Sequence, residues 1–413
     1  MRILHTADWH LGSRLGRIDR SDDLRRAVER VAHYCEYKQV DVLLIAGDIF
    51  SELTRPENLR ASIEHLREVF ERFLLGGGTI LAITGNHDNE NFCQTLGLVM
   101  KLAAPASTEP GDRIPGGRLY LATNPTFLRL ADRSGLEVQF ILMPYPTPTR
   151  YLLDEESQKY ASVEEKNRHL QAAYARRLRQ IMDDPRYARN LHTVLCAHVH
   201  VQGAVLCSEG AHEGLTEAET ILFQESELPT NLAYVALGHI HQPQKLMGLA
   251  HVRYSGSIER MNLGEQRDDK GVVLFDLTAE GLRGEPEFLP LEATPIYSVE
   301  LHTPLRGALE LLRQQYPDAK NDLVRIDIRY TAGEDNLEEA LRELEEIFPR
   351  WYARNWSELG AIGASLTTGE ADRSKSFEDT VRDYLKTELM NHPEAERDAV
   401  LALAEALMKE VEA

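Results

Sequence analysis

Cysteine is scarce in this sequence, and acidic residues outnumber basic ones. The four cysteines, Cys35, Cys93, Cys196 and Cys207, show no C-x-x-C spacing, which argues against a disulfide-stapled scaffold or a cysteine-rich zinc module. They read as reduced thiols of a cytosolic protein. Lys and Arg number 46 against 66 Asp and Glu, for a formal net charge of -20, which argues against a general basic coat for nucleic acid. Contact with a polyanion would have to pass through bound cations, a local arginine patch or a partner subunit. No apolar run approaches a membrane span, and the first residues lead into a strand with no signal peptide before it, so a cytoplasmic location is expected. There is no internal repeat. At 413 residues the chain exceeds one compact core, so one large domain and one or two smaller ones are expected.

What the sequence does have is five short polar strings, each closing an apolar run: Asp8-Trp9-His10, Gly47-Asp48, Gly85-Asn86-His87-Asp88, Ala197-His198 and Gly238-His239-Ile240-His241. The runs before them, residues 2–7, 42–46, 80–83, 193–196 and 232–237, read as buried strands. Residues 21–38 carry Leu24, Ala27, Val28, Val31 and Cys35 at helical spacing, and a second helix runs from Pro56 to the Gly76-Gly77-Gly78 stop. A third covers residues 93–102. This strand–helix alternation predicts parallel strands with right-handed crossovers. Residues 118–130 and 137–142 are rich in β-formers, 162–182 form a long helix, and 250–290 read as strands and turns. After a boundary near Pro286 to Pro295 comes a compact β-α-β-α-β pattern, then a polar stretch from Gly360 to Ser376, then helices to the end, broken at Pro393.

The five strings together contain a ligand set for two metal ions. Two divalent ions about 3.5 to 4 Å apart can clamp the attacking and leaving oxygens of a phosphoryl displacement. Holding them so close needs a shared carboxylate, and Asp48 is the expected bridge. Asp8, His10 and His241 would complete one ion, and Asn86, His198 and His239 the other. Imidazole, carboxylate and amide oxygen without thiolate suit Mn²⁺ or Fe²⁺ and leave Zn²⁺ and Mg²⁺ open. Four positive charges against two carboxylates would attract a phosphodiester despite the net charge. His87 is expected outside the ligand set, touching the phosphate or giving a proton to the leaving oxygen, with Asp88 orienting its imidazole.

In that order, the strings resemble the motifs of the calcineurin-like metallophosphoesterase superfamily. The opening residues 1–12, the stretch 234–241 and the stretch from Tyr254 to Arg260 are more narrowly similar to the SbcD family of nuclease subunits. The resemblance spans essentially the whole chain. It implies an α/β fold, a sandwich of two sheets flanked by helices, with a small α/β cap domain and a helical C-terminal tail. The corresponding divisions are 1–290 for the phosphoesterase, 291–360 for the cap, 361–376 for a linker and 377–413 for a partner-binding segment. It implies a Mn²⁺-dependent DNA nuclease of repair, recombination and replication, with double-strand 3′–5′ exonuclease and single-strand or hairpin endonuclease activity. The implied partners are DNA, an SbcC-like ATPase of SMC type and a second copy, giving a nucleoid-associated heterotetramer. A phosphatase or small-nucleotide phosphodiesterase with the same centre is the alternative, and a silent scaffold is disfavoured by the complete ligand set. Two departures stand out. His200 follows His198 closely enough to compete as the ligand, and Asn89-Glu90 stands where the family often has Ser-Pro.

Other residues carry weaker signals. Arg14, Arg17 and Arg55 follow metal strings and could touch DNA phosphates or be solvated loop charge. His5 reads as a core or supporting histidine, and His33, His65, His169 and His212 as ordinary ones. The run Arg176-Arg177-Leu178-Arg179 and the acidic stretch 334–346 read as solvated helix faces. Leu96, Val99 and Met100 are candidates for a dimer contact or an internal core. In the tail, Phe377, Val381, Tyr384, Leu385 and Leu389, then Val400, Leu403 and Leu407, form apolar stripes suited to a groove on the ATPase partner.

Overall fold

The computed structural model describes residues 1–51, 56–104, 109–152, 160–205, 221–224, 228–229 and 231–359. Met1–Trp356 form one compact unit. The expected tail, its linker, Arg55 and Cys207 lie outside the described residues.

The chain begins β1 (Arg2–Thr6), α1 (Ser21–Tyr37), β2 (Val42–Ala46), α2 (Pro56–Leu75), β3 (Thr79–Ile83), α3 (Glu90–Ala103) and β4 (Leu119–Ala122). It continues β5 (Thr126–Ala131), β6 (Glu137–Met143), α4 (Val163–Asp183), β7 (Thr193–His198), β8 (Tyr234–Gly238), β9 (Val252–Tyr254), β10 (Lys270–Thr278) and β11 (Gly281–Leu291). Two six-stranded sheets result. The first has the order β11-β10-β1-β2-β3-β4, and the second runs from the short strand Gln244–Lys245 through β9-β8-β7-β6-β5. As expected, β1, β2 and β3 are parallel. In the region read as strands and turns, β10 and β11 close the first sheet antiparallel. The β-rich run 118–130 turns out to be two strands, one ending each sheet.

The strands read as unbroken apolar runs because they are buried on both faces. Along β2, Val42, Leu44 and Ala46 face inward, where they meet Val194 and Cys196 of β7 and Tyr234 and Ala236 of β8. Leu43 and Ile45 point the other way, onto Leu24, Val28 and Val31 of α1 and Phe70 and Phe73 of α2. On the far side, Leu195 and Val235 pack against Leu170, Tyr174 and Leu178 of α4. The result is a sandwich of two sheets flanked by helices. Cys35, Cys93 and Cys196 are free and buried, and burial pushes their thiols up.

Beyond β11 lie β12 (Ile296–His302), α5 (Leu305–Gln315), β13 (Leu323–Tyr330), α6 (Leu337–Ile347) and β14 (Trp351–Glu358), in a three-stranded sheet ordered β12-β13-β14. Leu309, Val324, Ile326, Leu344 and Phe348 form its own core. Arg350 ties it to α1, donating to Asp23 at 2.5 and 3.1 Å. No described helix is long and apolar enough to cross a membrane.

Candidate metal centre

The five strings lie at the carboxyl ends of β1, β2, β3, β7 and β8, where strand ends from both sheets converge. The residue between each pair of candidate ligands is an anchor. Trp9 is fully buried in the helix layer, stacked near Phe70, and Ile240 is buried in the opposite core. Asp8 and His10, and likewise His239 and His241, are thereby turned to the polar side. The chain reverses sharply to do this: Asp8, His10, Asp48 and His239 have φ of 53°, 45°, 52° and 93°, four of the six non-glycine residues with positive φ among the described residues. Each such conformation costs roughly 1–3 kcal/mol and persists only where its surroundings over-determine it. The backbone supplies that constraint. Asp8 donates to the Gly47 carbonyl at 3.0 Å, and Trp9 and His10 both donate to the Asp48 carbonyl at 2.8 and 2.9 Å.

Glycine opens three of the strings for a steric reason, and at Gly238 a Cβ would strike the Ala46 carbonyl. A Cβ at Gly85 would collide with the Asp48 carboxylate, and one at Gly47, where φ is 93°, would collide with the His198 imidazole.

Asp48 stands at the middle of the cluster. Its Oδ1 accepts the His87 amide at 2.8 Å, leaving Oδ2 to face His198 Nε2 at 3.3 Å and His10 Nε2 at 3.7 Å. On one side His10 Nε2 lies 3.2 Å from His241 Nε2, and Asp8 completes the group. On the other, Asn86 Oδ1 lies 3.0 Å from His198 Nε2 and 2.9 Å from His239 Nδ1. Asp8 also accepts the His239 amide at 3.1 Å.

Hydrogen bonding outside the cluster assigns the protons. His198 Nδ1 faces the Ala46 carbonyl at 2.7 Å and His241 Nδ1 faces the Glu265 carboxylate at 2.9 Å, so both rings carry a proton there. Their Nε2 atoms then point inward, at acceptors or at one another. Such a set of converging ring nitrogens and two carboxylates fits divalent cations. The electrostatics divide the four rings. Burial pushes His10 down to about 3 and His239 well below the usual imidazole range, keeping both neutral as ligands must be. Burial would also lower His198, but the Asp48 and Asp8 carboxylates hold it at about 9. Burial would likewise lower His241, but the Glu265 and Asp8 carboxylates raise it. Burial would raise Asp48, yet His198, His10 and His87 keep it far below the usual carboxylate range.

A family model described as calcineurin-like phosphoesterase matches residues 1–243. A Rhodobacter capsulatus protein, named as the SbcD subunit of the nuclease SbcCD, is 31% identical over 70% of this chain and 69% of its own length. Proteins of the same name from Bacillus subtilis and Escherichia coli are 28% and 26% identical, over 67% and 84% of this chain and 66% and 83% of theirs. The chain belongs to the calcineurin-like phosphoesterases, in the SbcD family.

In this SbcD-family chain, Asp8, His10, Asp48, Asn86, His198, His239 and His241 come together. The alternative His200 lies further out, its ring 6.4 Å from that of His239. His87 borders the cluster, half-buried, with its ring 4.9 Å from the His10 ring. Asp88 does not orient it. Instead its Oδ1 accepts the Phe50 amide at 2.8 Å, and its Oδ2 accepts the Gly85 and Ile49 amides at 2.8 and 3.2 Å. Asp88 thus locks the third string onto the second, and burial, with Asp48 nearby, pushes its carboxyl up to about 6. Arg14 and Arg17 stand apart from the centre. Arg14 donates to the Arg17 carbonyl at 2.6 Å, and Arg17 lies over Trp351 and pairs with Glu345 at 3.7 Å. That pair also makes α6 less a free acidic face than its sequence suggests. His5 is a core residue, edge-on to Tyr234. Leu96 packs on the internal core, while Val99 is exposed and Met100 half-buried.

Sequence reasoning missed three neighbours. Tyr145 flanks the centre, its ring 6.0 Å from His198 and 5.8 Å from His239. Glu265, on the turn before β10, and Lys270, at the start of β10, support His241 from 24 and 29 residues later. No local spacing links them to that histidine.

Proposed function

We propose that this chain is a metal-dependent DNA nuclease, the catalytic subunit of an SbcCD-type assembly, working with two Mn²⁺ ions. The observation that carries the reading is the single Asp48 oxygen facing both histidine groups, as a carboxylate shared by two ions would. Asp8, His10 and His241 would hold one ion with Asp48, and Asn86, His198 and His239 the other. When bound, the ions supply positive charge to the scissile phosphate and a stronger nucleophile from water.

The protein's own groups do the rest. The His87 amide holds Asp48 Oδ1 and so aims Oδ2 into the centre. The His87 imidazole, at the cluster's edge, gives a proton to the leaving oxygen. Asp88 keeps the third string in register through backbone amides. Exonuclease action on duplex ends and endonuclease action on single strands or hairpins are the activities assigned. Relatives named as SbcD subunits of an SbcCD nuclease support an SbcC-like ATPase partner, with residues 377–413 as its docking segment and 291–360 as a cap. The assembly is read as two copies of each subunit.

The test offers the purified chain end-labelled duplex DNA and a phosphomonoester side by side, with Mn²⁺, Mg²⁺ or chelator. The expected result is Mn²⁺-dependent DNA cleavage that chelator abolishes. Hydrolysis of the ester alone would replace the nuclease with a phosphatase.

A further inference from the structure

His241 is held at both ends by one buried ion pair. Glu265 Oε1 lies 2.9 Å from His241 Nδ1, and an ionised carboxylate only accepts, so Nδ1 carries the proton. The lone pair of the neutral ring is then on Nε2, the atom 3.2 Å from His10 Nε2. Glu265 Oε2 pairs with Lys270 Nζ at 2.7 Å and accepts the Met261 amide at 3.1 Å. Lys270 Nζ in turn donates to the His241 carbonyl at 2.9 Å. The carboxylate thus grips the ring and the ammonium grips the backbone.

Burial makes this arrangement costly. Glu265 and Lys270 are each 1% exposed, and withdrawing such ions from water costs several kcal/mol apiece. An apolar pair of similar volume would serve stability as well or better. A pair kept at that cost, with one member on the ring of a centre residue and the other on its carbonyl, is placed to control where His241 points.

The geometry points to Glu265 as a positioning residue of the metal centre, fixing the tautomer and direction of His241, with Lys270 holding the carboxylate in place. This rests on the reading of His241 as a metal ligand. Glu265 itself touches neither substrate nor reacting atoms. Carboxylates that orient ligating histidines in this way are commonly worth 10–100-fold in metal affinity.

The experiment compares the wild type with the neutral double variant E265Q/K270M, both stripped of metal and titrated with Mn²⁺ by calorimetry. The double variant removes both members of the pair together, and because Lys270 also pairs with Asp268 at 3.4 Å, its melting temperature is measured beside the wild type as the check on folding. One of its two sites should bind Mn²⁺ 10–100-fold more weakly, and long-range ¹H–¹⁵N spectra of the metal-free protein should show His241 shift from the Nδ1–H form to a tautomer mixture. Two sites of unchanged affinity with an unchanged tautomer, whatever the melting temperature, would reduce the ion pair to a loop clamp and overturn the inference alone. A wild type that binds no Mn²⁺ would overturn the metal reading itself, and the inference with it. If the double variant does not fold, E265D serves instead. It keeps the charge but draws the carboxylate back by one methylene, and the same single site should weaken; unchanged affinity there is equally fatal.

Discussion

Metal binding by this protein should release protons near neutral pH, from His198 and from His241, which burial lowers but the Glu265 carboxylate raises. Without a cation, the neighbouring carboxylates hold the His198 imidazole at about 9, raised from an ordinary 6.5. A raised imidazole contributes stability that is fully present below the unfolded value and lost as pH rises through the folded one. For His198 the rise corresponds to about 3 kcal/mol, lost between roughly pH 6.5 and 9. A cation needs the same Nε2 lone pair, so binding must displace that proton. Metal affinity should therefore climb at least about tenfold per pH unit between 7 and 8 and level off near 9. His10, held neutral at about 3, adds nothing in this range. Calorimetric titration with Mn²⁺ at pH 7, in two buffers of different ionisation enthalpy, counts the protons released. In parallel, the rise in melting temperature caused by Mn²⁺ should grow from pH 7 to 9. Zero proton release with a pH-independent affinity would refute both the protonation of His198 and its place as a ligand.

Three further outcomes are expected. Asp48→Ala should abolish activity and lower occupancy at both ions, whereas His87→Gln should keep both metals and lose most turnover; metal analysis separates them, and loss of both ions in the His87 variant would contradict its assigned role. Asp23, buried with Arg20, Arg26 and Arg350 within 2.6 Å, is opposed by burial but held below the usual carboxylate range by Arg350 and Arg20. Its contribution is present above about pH 4 and lost as pH falls below that; Asp23→Ala should cost about 3–5 kcal/mol in urea unfolding and flatten the acid limb, and an unchanged acid limb would show that the guanidiniums do not depend on it. Deleting residues 377–413 should leave Mn²⁺ binding and basal nuclease activity intact while abolishing co-purification with an SbcC-like ATPase, and retained binding would place the docking surface elsewhere.

The sequence by itself determined the strands and their ends. Runs such as 42–46 and 80–83 are apolar without alternation because both faces are buried, so the polar residue closing each run had to lie at a strand terminus. It also supplied the candidate donors, since each string carries its imidazoles, carboxylates or amide within four residues and their count is independent of fold. What it could not determine was anything set by contacts distant in the chain. Residues 118–130 have one β-rich character throughout, yet Leu119–Ala122 and Thr126–Ala131 end different sheets, a choice made by pairing with β3 and β6. Asp88 looked like a partner for its neighbour His87. Tertiary structure turns it to the amides of Ile49 and Phe50, which approach only because β2 and β3 lie side by side. The orientation of His198 is set the same way, by the Ala46 carbonyl on the opposing sheet meeting its Nδ1. Glu265 and Lys270 had no signal at all, because a buried ion pair looks in sequence like two ordinary surface charges until the segment that carries them folds over His241.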